Sequence, residues 1–387
     1  MKKVLFATTA LVALGSMAAA DVRLSGYGRF GLDYNDLNST DVNDPNYNGV
    51  SDMTITSRLR LQVDMSTETD GGVGFNARVR MQAESRDNSP QSNGGAVLLR
   101  DAAGDLVLQQ NPANPGGPGL PIVTRPNDNG FNGARFGVTF GGLAVNVGNI
   151  IGAVENAPGL YTTGTRSAGT GIDGMGFNSL VLKNVGWDAY SSDGQGVNGV
   201  EAIYTVGGFT GHISYSEDND DLASFDPVVG VTVPGESRLG LMATYSFGDY
   251  YVTGAYQDSS DGIVVGGDDL NDLYFLAAGA DFGQFGAKIA YGESTQTKAW
   301  SLEGNMDIGA ASNLLIWVTD ASSNKTVTVG GNPVDLGSDG TSWGINYEYD
   351  LGGGATFVAG YVDSENNLAA ASRQDQKQFQ AGVYFSF

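Results

Sequence analysis

The sequence predicts an all-β fold, a transmembrane antiparallel β-barrel of 16 strands with one constriction loop folded into its lumen. Three observations lead to this prediction. The last segment of the chain alternates apolar and polar side chains and ends on Phe387. The chain begins with an export signal, and no later apolar segment is long enough for a membrane helix. Short glycine-rich turns alternate with longer polar loops, which is typical of barrels that face lipid outside and water inside.

The first 20 residues have the pattern of a secretory signal peptide. Lys2 and Lys3 precede an apolar segment, and an Ala-x-Ala cleavage site ends at Ala20. The alternative is a short uncleaved membrane helix, but the apolar run is shorter than the ~20 residues that a span requires. We therefore expect cleavage, export to the cell outer membrane, and a single barrel domain over residues 21–387.

The composition excludes several classes of partner and site. The chain has no cysteine, so it has neither a disulfide framework nor a thiolate metal site. The net charge is −23, and it becomes −25 once Lys2 and Lys3 leave with the signal peptide. Such a chain repels nucleic acid. We expect that no cofactor is required. The acidic outer loops, including Asp218, Asp220 and Asp221, could bind calcium. No ligand is assigned, because this run lacks the glycine of an EF-hand.

The strands follow one another as hairpins. Tight turns such as Gly141-Gly142 and Gly207-Gly208 contain glycine, which permits the positive φ that two-residue hairpins need. Aromatic residues flank four of these turns and predict a girdle at one membrane interface. The predicted strands are 22–34, 53–66, 72–85, 133–140, 143–150, 197–206, 209–217, 236–247, 250–259, 271–282, 285–294, 298–309, 313–321, 341–351, 355–364 and 376–387.

The two faces of most strands differ in polarity. Within 53–66, Leu59 and Val63 take one face while Arg58 and Arg60 take the other. A soluble sandwich with one wet face is the alternative. Charges at mid-strand and aromatic residues at the strand ends favour the barrel. The faces cannot be assigned in two strands, those at 271–282 and 313–321.

Arginine is concentrated in the first four strands, which hold seven of the 13 arginines. All seven take the polar face, and neighbouring strands lie ~5 Å apart. We therefore expect Arg58 and Arg60 to project close to Arg78 and Arg80. The functional interpretation is a basic wall that lines a pore, and the alternative is a set of solvated charges without a role. The residues assigned to the basic wall are Arg29, Arg58, Arg60, Arg78, Arg80 and Arg135.

The constriction loop, about 151–186, is long, rich in glycine and more apolar than an ordinary outer loop such as 217–226. This composition predicts that the loop folds into the lumen. Glu155 and Asp173 are the acids expected to face the basic wall. Opposed charges across a narrow aqueous gap create a transverse field, which disfavours apolar solutes.

The sequence provides little support for catalysis. His212 is the only histidine, and Ser214 lies two residues further on. A serine hydrolase would also need a group that orients the histidine and a surface that binds substrate. No phosphate-binding glycine motif is present. We therefore expect the protein not to be an enzyme.

The order of these features resembles that of a Gram-negative general porin. The resemblance rests on the signal peptide, the start at Asp21-Val22-Arg23-Leu24-Ser25-Gly26, the sixteen strands and the terminal phenylalanine. The stretch from Ala134 to Ile150 is similar to alphaproteobacterial porins of the Rhodobacter type. This resemblance covers essentially all of 1–387. It implies a homotrimer in outer-membrane lipid and lipopolysaccharide, a third loop that narrows each pore, and passive diffusion of ions and small hydrophilic solutes.

The resemblance matches the six arginines to the family's basic wall, and Glu155 and Asp173 to its acidic loop. The loop at about 86–131 departs from the family by its length and by its prolines at positions 112, 115, 118, 121 and 126. It could latch a neighbouring subunit or cover its own pore mouth, and the sequence leaves both open.

A water-filled channel for passive diffusion is thus the predicted function. We expect a mild cation preference from the net charge and from the inward acids Glu201, Glu303, Asp307 and Glu348. A substrate-specific channel of the same fold is the first alternative. A secreted β-rich adhesin or surface protein is a less favoured one.

Overall fold

The structure is a computed structural model. Its described residues are 21–44, 49–85, 97–98, 108–109, 120–121, 123–124, 131–162, 179–183, 185–192, 196–217, 225–226, 231–232, 236–260, 264–265, 268–269, 272–329, 332–335, 337–365 and 375–387. The signal peptide, Asp173, Asp218, Asp220, Asp221 and most of the loop at 86–131 lie outside the described residues. Among the described residues, no helix is both long enough and apolar enough to cross a bilayer.

Sixteen antiparallel strands form one closed barrel, as predicted. Each strand pairs with its neighbours in the chain, and β16 pairs with β1 to close the sheet. Short two-stranded sheets in the outer loops pair 97–98 with 123–124, 108–109 with 120–121, 225–226 with 231–232, 264–265 with 268–269, and 326–329 with 332–335. The barrel strands are β1 (Asp21–Asn35), β2 (Met53–Glu68), β3 (Gly74–Ser85), β4 (Arg135–Phe140), β5 (Leu143–Asn149), β6 (Asn198–Val206), β7 (Phe209–Glu217), β8 (Ser237–Phe247), β9 (Tyr250–Ser260), β10 (Leu273–Asp281), β11 (Phe285–Ser294), β12 (Thr297–Ile308), β13 (Ser312–Ser323), β14 (Gly340–Gly352), β15 (Ala355–Ser364) and β16 (Gln376–Ser386).

The tight turns fix the strand positions. Gly141 and Gly142 both have positive φ, 54° and 87°, between β4 and β5. Gly207 and Gly248 adopt the same region of φ between the next two pairs of hairpin strands. Such turns fix the register between the two strands that they join. Every predicted strand boundary lies within two residues of the observed one.

The outer surface carries a row of aromatic rings near the tight turns. Ring centroids are 5.9 Å apart for Tyr245 and Phe247, 5.6 Å for Phe247 and Tyr250, and 6.0 Å for Tyr250 and Phe282. These four residues belong to β8, β9 and the turn after β10, and all four are exposed. Amphipathic and aromatic rings at one height are typical of a membrane interface, which agrees with the predicted girdle.

Two glycines of β1 leave room for aromatic rings at the closing seam, where β1 pairs with β16. A Cβ on Gly28 would lie 2.4 Å from the ring of Phe385, and one on Gly26 would lie 2.7 Å from the ring of Phe387. The phenylalanine rings therefore lie directly over β1, where aromatic side chains cover exposed glycine backbone. The backbone of Phe387 also exchanges two hydrogen bonds with Gly26, at 2.9 and 3.1 Å.

The apolar core lies inside the barrel, between the wall and the constriction loop. Leu273 and Phe275 of β10 point inward and are buried, while Tyr274 and Leu276 point outward and are exposed. The loop residues packed against this inner patch include Ala153, Val154, Leu160, Val181 and Leu182. In β13, Leu315 and Trp317 point inward and pack with Leu180 of the loop. Apolar residues on both faces explain why the sequence alone could not assign these two strands.

Candidate functional site

The described parts of the constriction loop pack against the inner wall, as predicted, and such contacts continue through residues 185–192, beyond the predicted end at about 186. Its entry is bound to the wall by backbone hydrogen bonds. The amides of Ile151 and Gly152 donate to Oε2 of Glu201 in β6, at 3.1 and 3.0 Å, and that of Ala153 donates to Oγ of Ser214 in β7, at 2.9 Å.

The far part of the loop is bound to strands across the barrel. Nζ of Lys288 in β11 donates to the carbonyl of Tyr161 at 2.7 Å. Thr319 in β13 donates to the carbonyl of Leu180 at 3.0 Å. The described parts of the loop thus lie against the inner face of the wall from β6 to β13, whereas Arg58 and Arg60 of β2, on the opposite side, stay half-buried.

The returning arm of the loop, residues 185–192, leads back to the first strands. Gln257 of β9 donates to the carbonyl of Gly186 at 2.9 Å, and Arg238 of β8 forms an ion pair with Asp188 at 3.1 Å. Desolvation raises the pKa of Asp188 above its ordinary value, and Arg238 and a hydrogen bond from Ser216 act in the opposite direction.

Gly152 allows the two arms to lie close together. Its φ is +87°, and a Cβ at this position would lie 2.6 Å from the carbonyl oxygen of Asp188. A larger residue would meet both backbone strain and a steric clash.

Glu201 is the centre of the entry network. Besides the two loop amides, its carboxylate accepts a hydrogen bond from Asn146 at 2.8 Å and lies 3.2 Å from Nε2 of His212. His212 in turn lies 3.4 Å from the side-chain amide of Asn156. The histidine and serine that we considered for catalysis therefore hold the loop against the wall.

Two of the four acids from which we expected a cation preference do not face water. Glu201 is 1% exposed, and Glu303 is 5% exposed and pairs with Lys288 at 2.5 Å. Both lie behind the constriction loop, because the loop covers their strands. This part of the prediction is wrong, and only Asp307 and Glu348 are open to solvent to a substantial degree.

Glu155 lies in a polar pocket of the loop itself. Its Oε2 accepts hydrogen bonds from the hydroxyl of Tyr161 at 2.5 Å and from Nε1 of Trp187 at 2.9 Å. Burial raises the pKa of Glu155, while these two hydrogen bonds and the charge of Arg80 act in the opposite direction. The other predicted acid, Asp173, lies outside the described residues.

The register separates the arginines that we expected to lie side by side. Arg60 of β2 is opposite Gln82 of β3 and donates two hydrogen bonds to it, at 2.9 and 2.6 Å. Arg80 is opposite Gln62 and donates to it at 2.8 Å. Arg58 is opposite position 84. Between β2 and β3, uncharged amides thus lie opposite guanidinium groups, which lowers the repulsion between like charges there. Arg29 and Arg58, and Arg78 and Arg135, are by contrast directly opposite each other.

The remaining arginines of the wall differ in exposure. Arg78 forms an ion pair with Asp64 at 2.5 Å, so its charge is partly neutralised. Arg29 and Arg135 are only 2% and 6% exposed, whereas Arg58, Arg60, Arg78 and Arg80 are half-buried. The half-buried four are thus the members of the wall that solvent in the interior reaches most readily.

Sequence reasoning missed the aromatic residues of the interior. Tyr161, Trp187 and Tyr190 of the loop bind Glu155 or the arginines, and Tyr27 of β1 lies under Arg60, 5.1 Å from ring centroid to guanidinium carbon. The signal was a pair of large aromatic residues, at 187 and 190, in an otherwise small and polar segment. In the described part of the chain, no group of three or more His, Asp or Glu side chains is arranged to hold a metal ion.

Known proteins resemble this chain over most of its length. A protein called porin from Fuscovulum blasticum is 26% identical over 348 residues, which are 89% of this chain and 94% of that protein. A porin from Rhodobacter capsulatus is 26% identical over 359 residues, 89% of this chain and 95% of that protein.

Solved structures of mutants of Rh. blastica porin share the fold. One of them matches 95% of this chain and 100% of its own, with a TM-score of 0.63 and 21% sequence identity, and a second has a TM-score of 0.64 and 22% identity. The family model described as Gram-negative porin matches residues 7–387. With a closed barrel of sixteen strands and a loop packed inside it, the chain belongs to the Gram-negative porin family.

Proposed function

We propose that this porin is a general diffusion pore for ions and small hydrophilic solutes, and that its selectivity is set between Glu155 and the basic wall. The observation that carries the proposal is the one-sided docking of the constriction loop. The loop packs against the inner faces of β6 to β13 and leaves Arg58 and Arg60 of β2 half-buried on the opposite side. Arg80 is also half-buried, against Tyr190 of the returning arm. Partly exposed guanidinium groups require water, which supports an aqueous lumen.

We propose further that three copies associate through the side of the barrel that carries β4 and β5. These strands have only six and seven residues, whereas a membrane-spanning strand needs about 9–11. A neighbouring subunit would cover this low part of the wall better than lipid would. The long loop at 86–131, which directly precedes β4, is the candidate to latch the neighbour.

The cell compartment follows from the family, since Gram-negative porins reside in the outer membrane. Cleavage after Ala20 and contacts with lipopolysaccharide remain proposals. Calcium binding at the outer acidic loops also remains a proposal, because Asp218, Asp220 and Asp221 lie outside the described residues.

The primary experiment is the single-channel conductance of the purified mature protein in a planar bilayer. A trimer of diffusion pores should insert in large ohmic steps that close in thirds at high voltage. Flux that saturates with one solute, or block by that solute, would instead support a substrate-specific channel. A water-soluble product that never inserts would contradict the pore and favour the secreted adhesin.

The role of the basic wall can be tested with the double variant Arg58→Ala and Arg60→Ala. Loss of two positive charges from the lumen should move the reversal potential in a KCl gradient toward cations and leave barrel assembly intact. The control is Lys298→Ala with Lys377→Ala, which removes the same charge from the outward face of β12 and β16. Equal shifts in the two double variants would mean that overall charge, and not the wall, determines selectivity.

A further inference from the structure

One aromatic side chain joins the constriction loop to the basic wall. The ring centroid of Tyr190 lies 4.4 Å from the guanidinium carbon of Arg80 and 5.4 Å from that of Arg135. Its hydroxyl donates a hydrogen bond to the carbonyl oxygen of Arg78 at 3.2 Å. Both ring distances are within the range of cation–π contacts. Tyr190 thus contacts two neighbouring strands, β3 and β4, from the returning arm of the loop.

Arg135 has few other sources of stabilisation. Among the described residues, its Nε and Nη1 are buried without a hydrogen-bond partner, and Nη1 lies 3.8 Å from Oε1 of Glu201. Its cross-strand partner in β3 is another cation, Arg78. A buried guanidinium beside a like charge is costly, and the π face of Tyr190 adds to the stabilisation that the carboxylate of Glu201 provides.

Arg80 is held from two directions. Its Nε donates to Gln62 in β2, and the ring of Tyr190 lies against its guanidinium group. The same loop therefore supplies both Glu155 and the ring that packs against Arg80.

We propose that Tyr190 is a specificity-determining positioning residue of the pore, whose ring fixes Arg80 in the lumen and screens Arg135 from it. Tyr190 acts through these two arginines, and the inference rests on the proposed channel function. When the ring is removed, Arg135 gains access to the lumen and Arg80 gains freedom to extend into it. Both changes add positive potential to the water-filled gap and favour anions.

The test compares Tyr190→Leu with Tyr190→Phe in planar bilayers, with heat-modifiability on gels as the measure of barrel assembly. Tyr190→Phe keeps the ring and loses only the hydrogen bond to Arg78, so its reversal potential should equal that of the wild type. Tyr190→Leu should raise the anion-to-cation permeability ratio above the wild-type value, because the exposed arginines add positive potential to the lumen. Adding Arg135→Gln to Tyr190→Leu should reverse most of that rise.

The outcomes separate this inference from the proposed function. A conducting wild type together with an unchanged ratio in assembled Tyr190→Leu would overturn the inference alone. Equal shifts in Tyr190→Phe and Tyr190→Leu would overturn it as well, because the hydroxyl and not the ring would then be responsible. A wild type that forms no pore would overturn the channel and the inference together.

Discussion

In the proposed pore, Glu155 is the acid through which the constriction loop acts on ions. Burial raises its pKa, so the docked loop keeps a proton at a pH at which an exposed glutamate has lost it. Docking of the loop therefore becomes more favourable as the pH falls from the raised pKa of Glu155 toward the pKa of an ordinary glutamate. Above the raised pKa, the full cost of burying the charged carboxylate remains.

This behaviour predicts a pH step in selectivity. As the pH is lowered, protonation of Glu155 should remove negative charge from the constriction and move the reversal potential toward anions. The midpoint should lie above the ordinary glutamate pKa of about 4.3. Reversal potentials in a fixed KCl gradient across a pH series measure it. Glu155→Gln should show the anion shift at every pH and lack the step, and a step of equal size in that variant would assign it to another carboxylate.

For individual residues, the sequence predicted which face of a strand a side chain occupies better than it predicted what covers that side chain. The alternation of side chains along the strands placed Arg29 and Arg135 on the inner face, and both are buried there. This alternation carries no information on what covers a side chain, so Glu201 and Glu303 were misjudged as acids in contact with water. The packing of a loop against a wall depends on contacts between distant segments, and no local pattern in those strands displays them.

Among the structural elements, the entry of the constriction loop depends on one carboxylate. The carboxylate of Glu201 accepts hydrogen bonds from the amides of Ile151 and Gly152. It also lies beside Arg135 and His212. We expect Glu201→Ala to leave these donors unsatisfied, at a cost of about 1–3 kcal/mol for each buried group. The amides of residues 151 and 152 should then exchange hydrogen roughly 10- to 100-fold faster. The matched control is Glu217→Ala, which removes an exposed acid from β7. Equal protection of these amides against exchange in both variants would show that Glu201 does not hold the loop entry.

The closing seam makes a second prediction for the elements. Gly28→Val should place side-chain atoms where the ring of Phe385 lies, and should therefore lower the temperature at which the folded barrel unfolds on gels. Gly304→Val is the control, because the nearest heavy atom to a Cβ at that position is 4.0 Å away and valine favours strands. A Gly28→Val barrel as heat-resistant as the control would show that the seam tolerates a shifted ring.

Strand polarity itself indicates where the loop docks. Alternation is clear in β2, which faces the open lumen, and disappears in β10 and β13, where inward Phe275 and Trp317 meet the loop. An inner face that turns apolar in a barrel otherwise filled with water indicates a covered patch. The loss of alternation that prevented a face assignment from sequence was thus itself informative about the docking site.

For the whole molecule, selectivity should depend on salt. In the proposed pore, the charges of Glu155 and the basic wall act across an aqueous gap, and the Debye length falls from about 10 Å at 0.1 M to about 3 Å at 1 M. The permeability ratio should therefore move toward the ratio of the free ions as the KCl concentration rises. Reversal potentials at a constant tenfold gradient and increasing mean concentration test this. A ratio independent of salt would mean that ions are selected by contact and not by the field.

The architecture of the molecule was predictable because it repeats. Sixteen strands follow from hairpins of similar length, and each tight turn such as Gly207-Gly208 sets the register of the next strand. The constriction loop occurs once, so no repeat constrains its path, and its composition predicted only that it enters the barrel. Its hydrogen bonds to β6, β11 and β13 join segments far apart in the chain, so no local pattern of the sequence indicates them.

The seam between β1 and β16 has a consequence for biogenesis. There the amide of Lys377 donates to Asp36 at 2.7 Å, across 341 positions of the chain. Until the last residues arrive, β1 has one unpaired edge and the growing sheet has another. A nascent or truncated chain therefore presents two strand edges that can pair with any other open edge, including that of a second unfinished copy. Delivery of the C-terminal segment is thus the step that turns an aggregation-prone ribbon into a closed wall.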